Sequence, residues 1–139
     1  MKQRRPLILY LEDDAAIAEM YKVGLEHGGF DVTIAARGPE ALELARREPC
    51  DLVLLDVMVP GMDGIEVLAA IRSDDLLKDL PVAILSNSEL GGPARERARR
   101  LGALDWLTKS RNPPDAVVRH LRRWLPRSKA EARTKSRSA

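Results

Sequence analysis

The chain has 139 residues, 45% of them apolar and 32% charged, the make-up of one globular domain with one core. No apolar run approaches the ~18 residues of a membrane span, and the basic start MKQRRP leads through a short apolar stretch into acids rather than into a secretory leader, so the expected location is the cytoplasm. The net charge of +2 is uneven: Arg127, Lys129, Arg133, Lys135 and Arg137 face the single acid Glu131, which leaves residues 127–139 at +4 and residues 1–126 at −2.

Five short apolar runs alternate with helical patterns. Residues 7–11 (LILYL) are continuously apolar and end in acids. Residues 15–27 have helical spacing, with Ile17, Met20, Tyr21 and Leu25 on one side, Asp14 as N-cap and Gly28-Gly29 as the stop. Val32 and Ile34 alternate in a second strand over 31–35, and Pro39 opens a helix over 39–47. Cys50, the one cysteine, has no intrachain disulfide partner and reads as inert packing beside the third strand, 52–55. A helix over 64–73, a strand over 82–85, a helix over 93–101 stopped by Gly102, and a strand over 104–107 follow. The last helix starts at Pro113 or Pro114 and runs to 125, with Val117, Leu121, Trp124 and Leu125 in one stripe. Beyond Pro126 only alanine is apolar, so a disordered tail is expected over 127–139 after a folded domain over 1–126.

Strands that are apolar throughout must be covered on both faces, which calls for an α/β fold with a doubly wound parallel sheet between helix layers. In such a sheet the site lies at the carboxyl ends of the strands. There the chain places Glu12, Asp13 and Asp14 after the first strand and Asp56 after the third. Ser86 and Asn87 follow the fourth, and Thr108 and Lys109 the fifth. Clustered carboxylates repel one another unless a cation joins them. An oxygen-only set suits a hard ion such as Mg²⁺, and no His or Cys nearby favours zinc. Asp56 can act as a nucleophile that forms an acyl phosphate, Lys109 as a point charge for a phosphoryl oxygen, and Ser86 as a hydroxyl donor. Each residue alone has a plainer explanation: an Asp or Ser after a strand as turn former or cap, Lys as a solvated charge, Glu12-Asp13-Asp14 as helix-start acids. Convergence from separate strand ends favours the chemical reading.

Four segments in register, LILYLEDD, LVLLDVMVPGMDG, PVAILSNS and LGALDWLTKS, resemble the receiver domains of bacterial response regulators over about residues 6–125. The resemblance implies a flavodoxin-like five-stranded parallel sheet in order 2-1-3-4-5 with helices on both faces. It implies Asp56 as phosphoacceptor and metal ligand. Glu12 and Asp13 become the acidic pair, with Asp13 the expected direct ligand, and the backbone carbonyl of Met58 a further one. Ser86 becomes the switch hydroxyl and Lys109 the family's lysine. The cofactor implied is Mg²⁺ or Mn²⁺. The phosphoryl source would be a sensor histidine kinase or a histidine phosphotransfer protein. The output would be a changed face of helix 4, strand 5 and helix 5 that binds a downstream protein or passes phosphate onward, with homodimerisation through that face an alternative. The domain would catalyse its own phosphorylation and dephosphorylation rather than turn over a substrate as an enzyme. With about a dozen residues after the last helix, no DNA-binding domain is expected, and the reading is a stand-alone receiver.

Three residues depart from the family pattern. Trp106 stands where Tyr or Phe is usual, and either reports the switch or is a fixed surface aromatic. Asn87 follows Ser86 where small residues are common. Ser110 follows Lys109 where proline, often cis, is usual, so either the bond is trans and the loop differs or strain is tolerated. Arg95, Arg97, Arg99 and Arg100 make the fourth helix basic, fitting an acidic partner or a solvated face. Three rivals are weaker. Non-specific nucleic-acid binding by the tail lacks a recognition helix. An aspartyl-phosphate phosphatase needs an acid where Met58 stands. A degenerate receiver would not need Asp13, Asp56, Ser86 and Lys109 together.

Overall fold

A computed structural model describes residues 4–87 and 92–125. The tail expected over 127–139 lies outside the described residues. The chain alternates strand and helix: β1 (Leu7–Leu11), α1 (Ala15–His27), β2 (Asp31–Ala35), α2 (Gly38–Arg47), β3 (Leu52–Leu55), α3 (Gly64–Ser73), β4 (Val82–Ser86), α4 (Gly92–Arg100), β5 (Trp106–Thr108) and α5 (Pro114–Trp124), with a 3-10 turn at Lys109–Arg111. All neighbouring strands pair parallel, in the order β2-β1-β3-β4-β5. This is the flavodoxin-like arrangement of the sequence reading.

Side-chain alternation with period two splits the apolar strands between two cores. Leu9, Leu11, Val53, Leu55 and Ile84 point to one face and pack with Ala41, Leu42 and Ala45 of α2, Ile65, Leu68 and Ile71 of α3, and Ala98 of α4. Ile8, Tyr10, Leu52, Leu54, Ala83 and Leu85 point to the other and meet Tyr21 and Leu25 of α1 and Val117, Val118 and Leu121 of α5. The expected N-cap of α1 is in place, since Asp14 accepts the Ile17 N–H, and Asp63 caps α3 by accepting the Glu66 N–H.

Boundaries shift at the active edge. β4 runs one residue further than expected, so Ser86 belongs to the strand. β5 starts at Trp106, not at residue 104, because Leu104 is 43% exposed and the ladder aligns Trp106 with Ile84 and Thr108 with Ser86. α2 and α4 each begin one residue early, at Gly38 and Gly92, and α4 ends at Arg100. The Lys109–Ser110 bond is trans, so the loop after Lys109 takes the first of the two forms considered, closed by the 3-10 turn.

The loop after Asp56 is packed backbone to backbone. A Cβ on Gly64 would come within 2.2 Å of the Asp56 carbonyl oxygen and 3.0 Å of the Val57 Cα. Gly64→Ala is expected to lose about 1–3 kcal/mol of stability, the usual cost of overpacking, as measured by urea unfolding. Wild-type stability would show that the loop can yield.

Candidate functional site

β1 and β3 are neighbours in the sheet, so their carboxyl ends deliver Glu12 and Asp56 side by side. The Glu12 N–H bonds the Ala35 carbonyl and the Asp56 N–H bonds the Leu11 carbonyl, which carries the ladder geometry one residue past each strand. Glu12 is 2% exposed and Asp56 6%, while Asp13, between Glu12 and the N-cap Asp14, is exposed. A carboxylate oxygen from each of Glu12, Asp13 and Asp56 can be chosen so that all lie within 4.8 Å of one another.

Lys109 reaches this cluster from the far edge of the sheet. Its ammonium donates to Asp56 Oδ2 at 2.8 Å and to Glu12 Oε1, and its side chain is nearly sealed from solvent. Burial by itself would pull the lysine pKa down. The hydrogen bonds to Asp56 and Glu12, and the charges of both, outweigh burial and leave the pKa above the ordinary value. Ser86 Oγ donates to Asp56 Oδ1 at 2.8 Å, and the Met58 N–H approaches the same oxygen at 3.3 Å. The backbone group of Met58 that reaches Asp56 is thus its N–H, and its side chain is 65% exposed.

Glu12 is engaged on both oxygens. Its Oε1 takes Lys109 and the Tyr10 hydroxyl at 3.1 Å, and its Oε2 takes the Asp14 N–H at 3.1 Å. Asp13 lies exposed beside it. The three carboxylates form an all-oxygen set, with no thiolate or imidazole in the cluster, and this suits a hard divalent cation.

Tyr10 and Tyr21 were not picked out as site residues by the sequence reading. Tyr10 lies two residues before Glu12, on the same face of the chain, and is fully buried. Burial, then the Glu12 charge and the hydrogen bond to it, push its pKa far up, so it stays a donor. A tyrosine inside an otherwise aliphatic strand is the one sequence signal for it, because a buried hydroxyl needs a partner.

Trp106 lies on the α4 side of β5, half-buried, with the Arg95 guanidinium 4.9 Å from its ring centre. Its Nε1–H is buried and has no acceptor among the described residues. A groove of about 290 Å³ opens there, lined by Arg95, Ala98, Arg99, Ala103, Leu104, Asp105 and Trp106. Asn87, next to Ser86, is exposed.

A family model described as the response regulator receiver domain matches residues 8–121. The chain is 35% identical over 112 residues to the alkaline phosphatase synthesis transcriptional regulatory protein PhoP of Bacillus subtilis (strain 168), covering 81% of this chain and 45% of that protein. It spans about half the length of the curated relatives it matches. The solved structure of the chemotaxis response regulator CheY4 of Vibrio cholerae superposes with a TM-score of 0.79 at 29% identity, covering 88% of this chain and all of that one. The Mn(2+)-bound form of response regulator Rcp1 superposes with a TM-score of 0.73 at 28% identity, covering 87% of this chain and 95% of that one.

Replacing Lys109 tests whether it holds the acids together. Lys109→Met leaves Glu12 and Asp56 facing each other with no cation between them. The expected loss is about 3–5 kcal/mol at neutral pH, the cost of stripping one partner from a buried ion pair. Urea unfolding of wild type and variant at neutral pH measures the loss, and wild-type stability in the variant refutes the pairing.

Proposed function

The chain belongs to the response regulator receiver family of two-component signalling, and from that premise we propose that Asp56 accepts a phosphoryl group from a phosphohistidine on a sensor kinase or histidine phosphotransfer protein. The observation that carries this reading is the Asp56 carboxylate itself. It lies at a strand end, gripped by Ser86 Oγ and Lys109 Nζ, both at 2.8 Å, with Asp13 exposed beside it. Phosphoryl transfer needs alignment and charge compensation more than covalent machinery. An Asp56 oxygen bonds to phosphorus as the phosphorus–nitrogen bond of the donor breaks, the electron pair returning to the histidine ring. The product is an acyl phosphate. Lys109 and Ser86, already donors to the two Asp56 oxygens, are in reach of the oxygens of the bound phosphoryl group. Glu12, Asp13 and Asp56 would hold Mg²⁺ or Mn²⁺, which supplies charge compensation to the transfer. The solved form of Rcp1 is Mn(2+)-bound, and an all-oxygen acidic set here is compatible with the same class of ion. Hydrolysis of the acyl phosphate by water resets the domain, so the protein works as a self-modifying switch in the cytoplasm rather than as an enzyme with turnover.

The output we propose is the face of α4, β5 and α5. The phosphoryl group competes for the Ser86 hydroxyl, and Trp106, two residues before Thr108 in the register partnered with Ser86, is the aromatic that responds. On α4, Arg95, Arg97, Arg99 and Arg100 outnumber the one acid, Glu96, which is already paired with Arg99 and Arg100. The groove beside them fits a downstream protein that presents an acidic segment with an apolar side chain. A second copy of the chain is the competing occupant. An aspartyl-phosphate phosphatase is disfavoured, because the position for its proton donor holds the apolar Met58.

Mass spectrometry after incubation with Mg²⁺ and a small acyl-phosphate donor is expected to show one added phosphoryl group. That group should be absent without the metal and absent in Asp56→Asn. An unmodified wild type, or a modified Asp56→Asn, ends the reading. In a Trp124→Phe background, the remaining Trp106 fluorescence should change on adding Mg²⁺ and a phosphoryl analogue. A constant signal would make Trp106 a fixed surface aromatic.

A further inference from the structure

The Glu12–Lys109 and Asp56–Lys109 ion pairs join strands that the sheet does not bring together. β5 is the edge strand, separated from β1 by β3 and β4 and from β3 by β4. It has only three residues and gives way at once to a 3-10 turn with no buried residue. Sheet hydrogen bonds therefore fix Lys109 on one side only, through the pairing of Thr108 with Ser86. A four-carbon side chain on so short an edge carries a large rotamer entropy. Some other contact must hold the turn from which it springs.

That contact comes from α1. The Tyr21 hydroxyl, on a residue 1% exposed, donates to the Asn112 carbonyl at 2.7 Å and lies 3.5 Å from the Lys109 carbonyl. Asn112 in turn closes the loop on itself, its backbone N–H on the Lys109 carbonyl at 3.2 Å and its side-chain amide on the Thr108 carbonyl at 2.9 Å. The Tyr21 ring rests edge-on against the Tyr10 ring, with centroids 5.8 Å apart and planes at 75°. The Tyr10 hydroxyl ends on Glu12, the same oxygen that Lys109 uses. The contacts form a closed circuit from Glu12 through Lys109, the turn, Tyr21 and Tyr10 back to Glu12. We infer that Tyr21 is a positioning residue for Lys109, fixing the turn that aims its ammonium at Asp56, with Tyr10 as the backing that keeps Tyr21 and Glu12 in one register. The inference rests on the phosphoryl-transfer reading for its consequence, but the placement of Lys109 can be measured without it.

Tyr21→Phe removes one hydroxyl and keeps the ring packing. Lys109 should then react with an amine-acylating reagent several-fold faster in the full chain, read by peptide mass spectrometry, while the exposed Lys78 reacts at the wild-type rate. Equal Lys109 labelling in variant and wild type, or a rise shared by Lys78, overturns the inference whatever the phosphorylation result. The maximal rate of Asp56 phosphorylation at saturating donor should fall about tenfold, on the scale expected for a misplaced group. The half-saturating Mg²⁺ concentration should stay within about twofold, a change of less than half a kcal/mol. In a Lys109→Met background Tyr21→Phe should cost nothing further, because the two changes act through one group. Losses that multiply in that background would make Tyr21 a merely structural residue. A wild type that is not phosphorylated but shows the labelling difference would remove the functional reading and leave the positioning role standing.

Discussion

The site rests on one electrostatic constraint. Two nearly buried carboxylates, Glu12 and Asp56, sit at adjacent strand ends with exposed Asp13 beside them. The parallel sheet forces the adjacency, since β1 and β3 pair directly and both end on the same edge. Such a cluster is tolerable only when a cation lies among the acids. Lys109 is that cation in the protein alone, touching Glu12 and Asp56 at once. A divalent ion can share the task, because Asp13 lies exposed and neither donates to nor accepts from Lys109 among the contacts described. The repulsion that makes the acids costly thus also leaves a cluster that could hold a further cation.

The rest of the fold serves this edge. Apolar strands of four or five residues, buried on both faces, hold Glu12, Asp56 and Ser86 to the spacing of the ladder. The loop after Asp56 is tightened by the Gly64 N–H on the Val57 carbonyl, and only a residue without a Cβ fits there. β5 is the weak member, with three residues at the sheet edge. Its contribution, Lys109, is the one whose position depends on side chains from elsewhere in the chain.

This explains what the sequence made legible and what it did not. The strands, their parallel pairing and the carboxyl-end residues follow from periodicity, because fully apolar runs separated by helical stripes have few other solutions. Asp56, Glu12, Asp13, Ser86 and Lys109 could be named because each directly follows or ends such a run. The start of β5 lies two residues beyond the expected one, since Leu104 looks like a strand residue while its exposure and the pairing of Trp106 with Ile84 exclude it from the ladder. The Ser110 question was open because a trans bond needs a different loop, and that loop depends on Asn112 and on Tyr21, 91 residues away from it in the chain. Local spacing cannot reveal a hydroxyl from α1 meeting a carbonyl after β5. Tyr10 and Tyr21 read as core residues, and they are core residues; their polar ends become visible only with the tertiary fold.

α4 is thinly packed against the core. Ala98 is the one buried residue among those described in α4, so the helix contributes little apolar area to the core and is drawn from the low-stability end of the molecule. Its far end is secured differently. The Arg72 guanidinium of α3 donates to the carbonyls of Leu101 and Gly102 just past α4, and to those of Lys78 and Leu80 before β4. Burial draws the Arg72 pKa down, but an arginine keeps its charge, so the carbonyls remain tied. One end of α4 is therefore pinned through backbone oxygens, whereas its first turn follows the segment that leaves Ser86. Trp106 packs under Arg95, its N–H without an acceptor among the described residues.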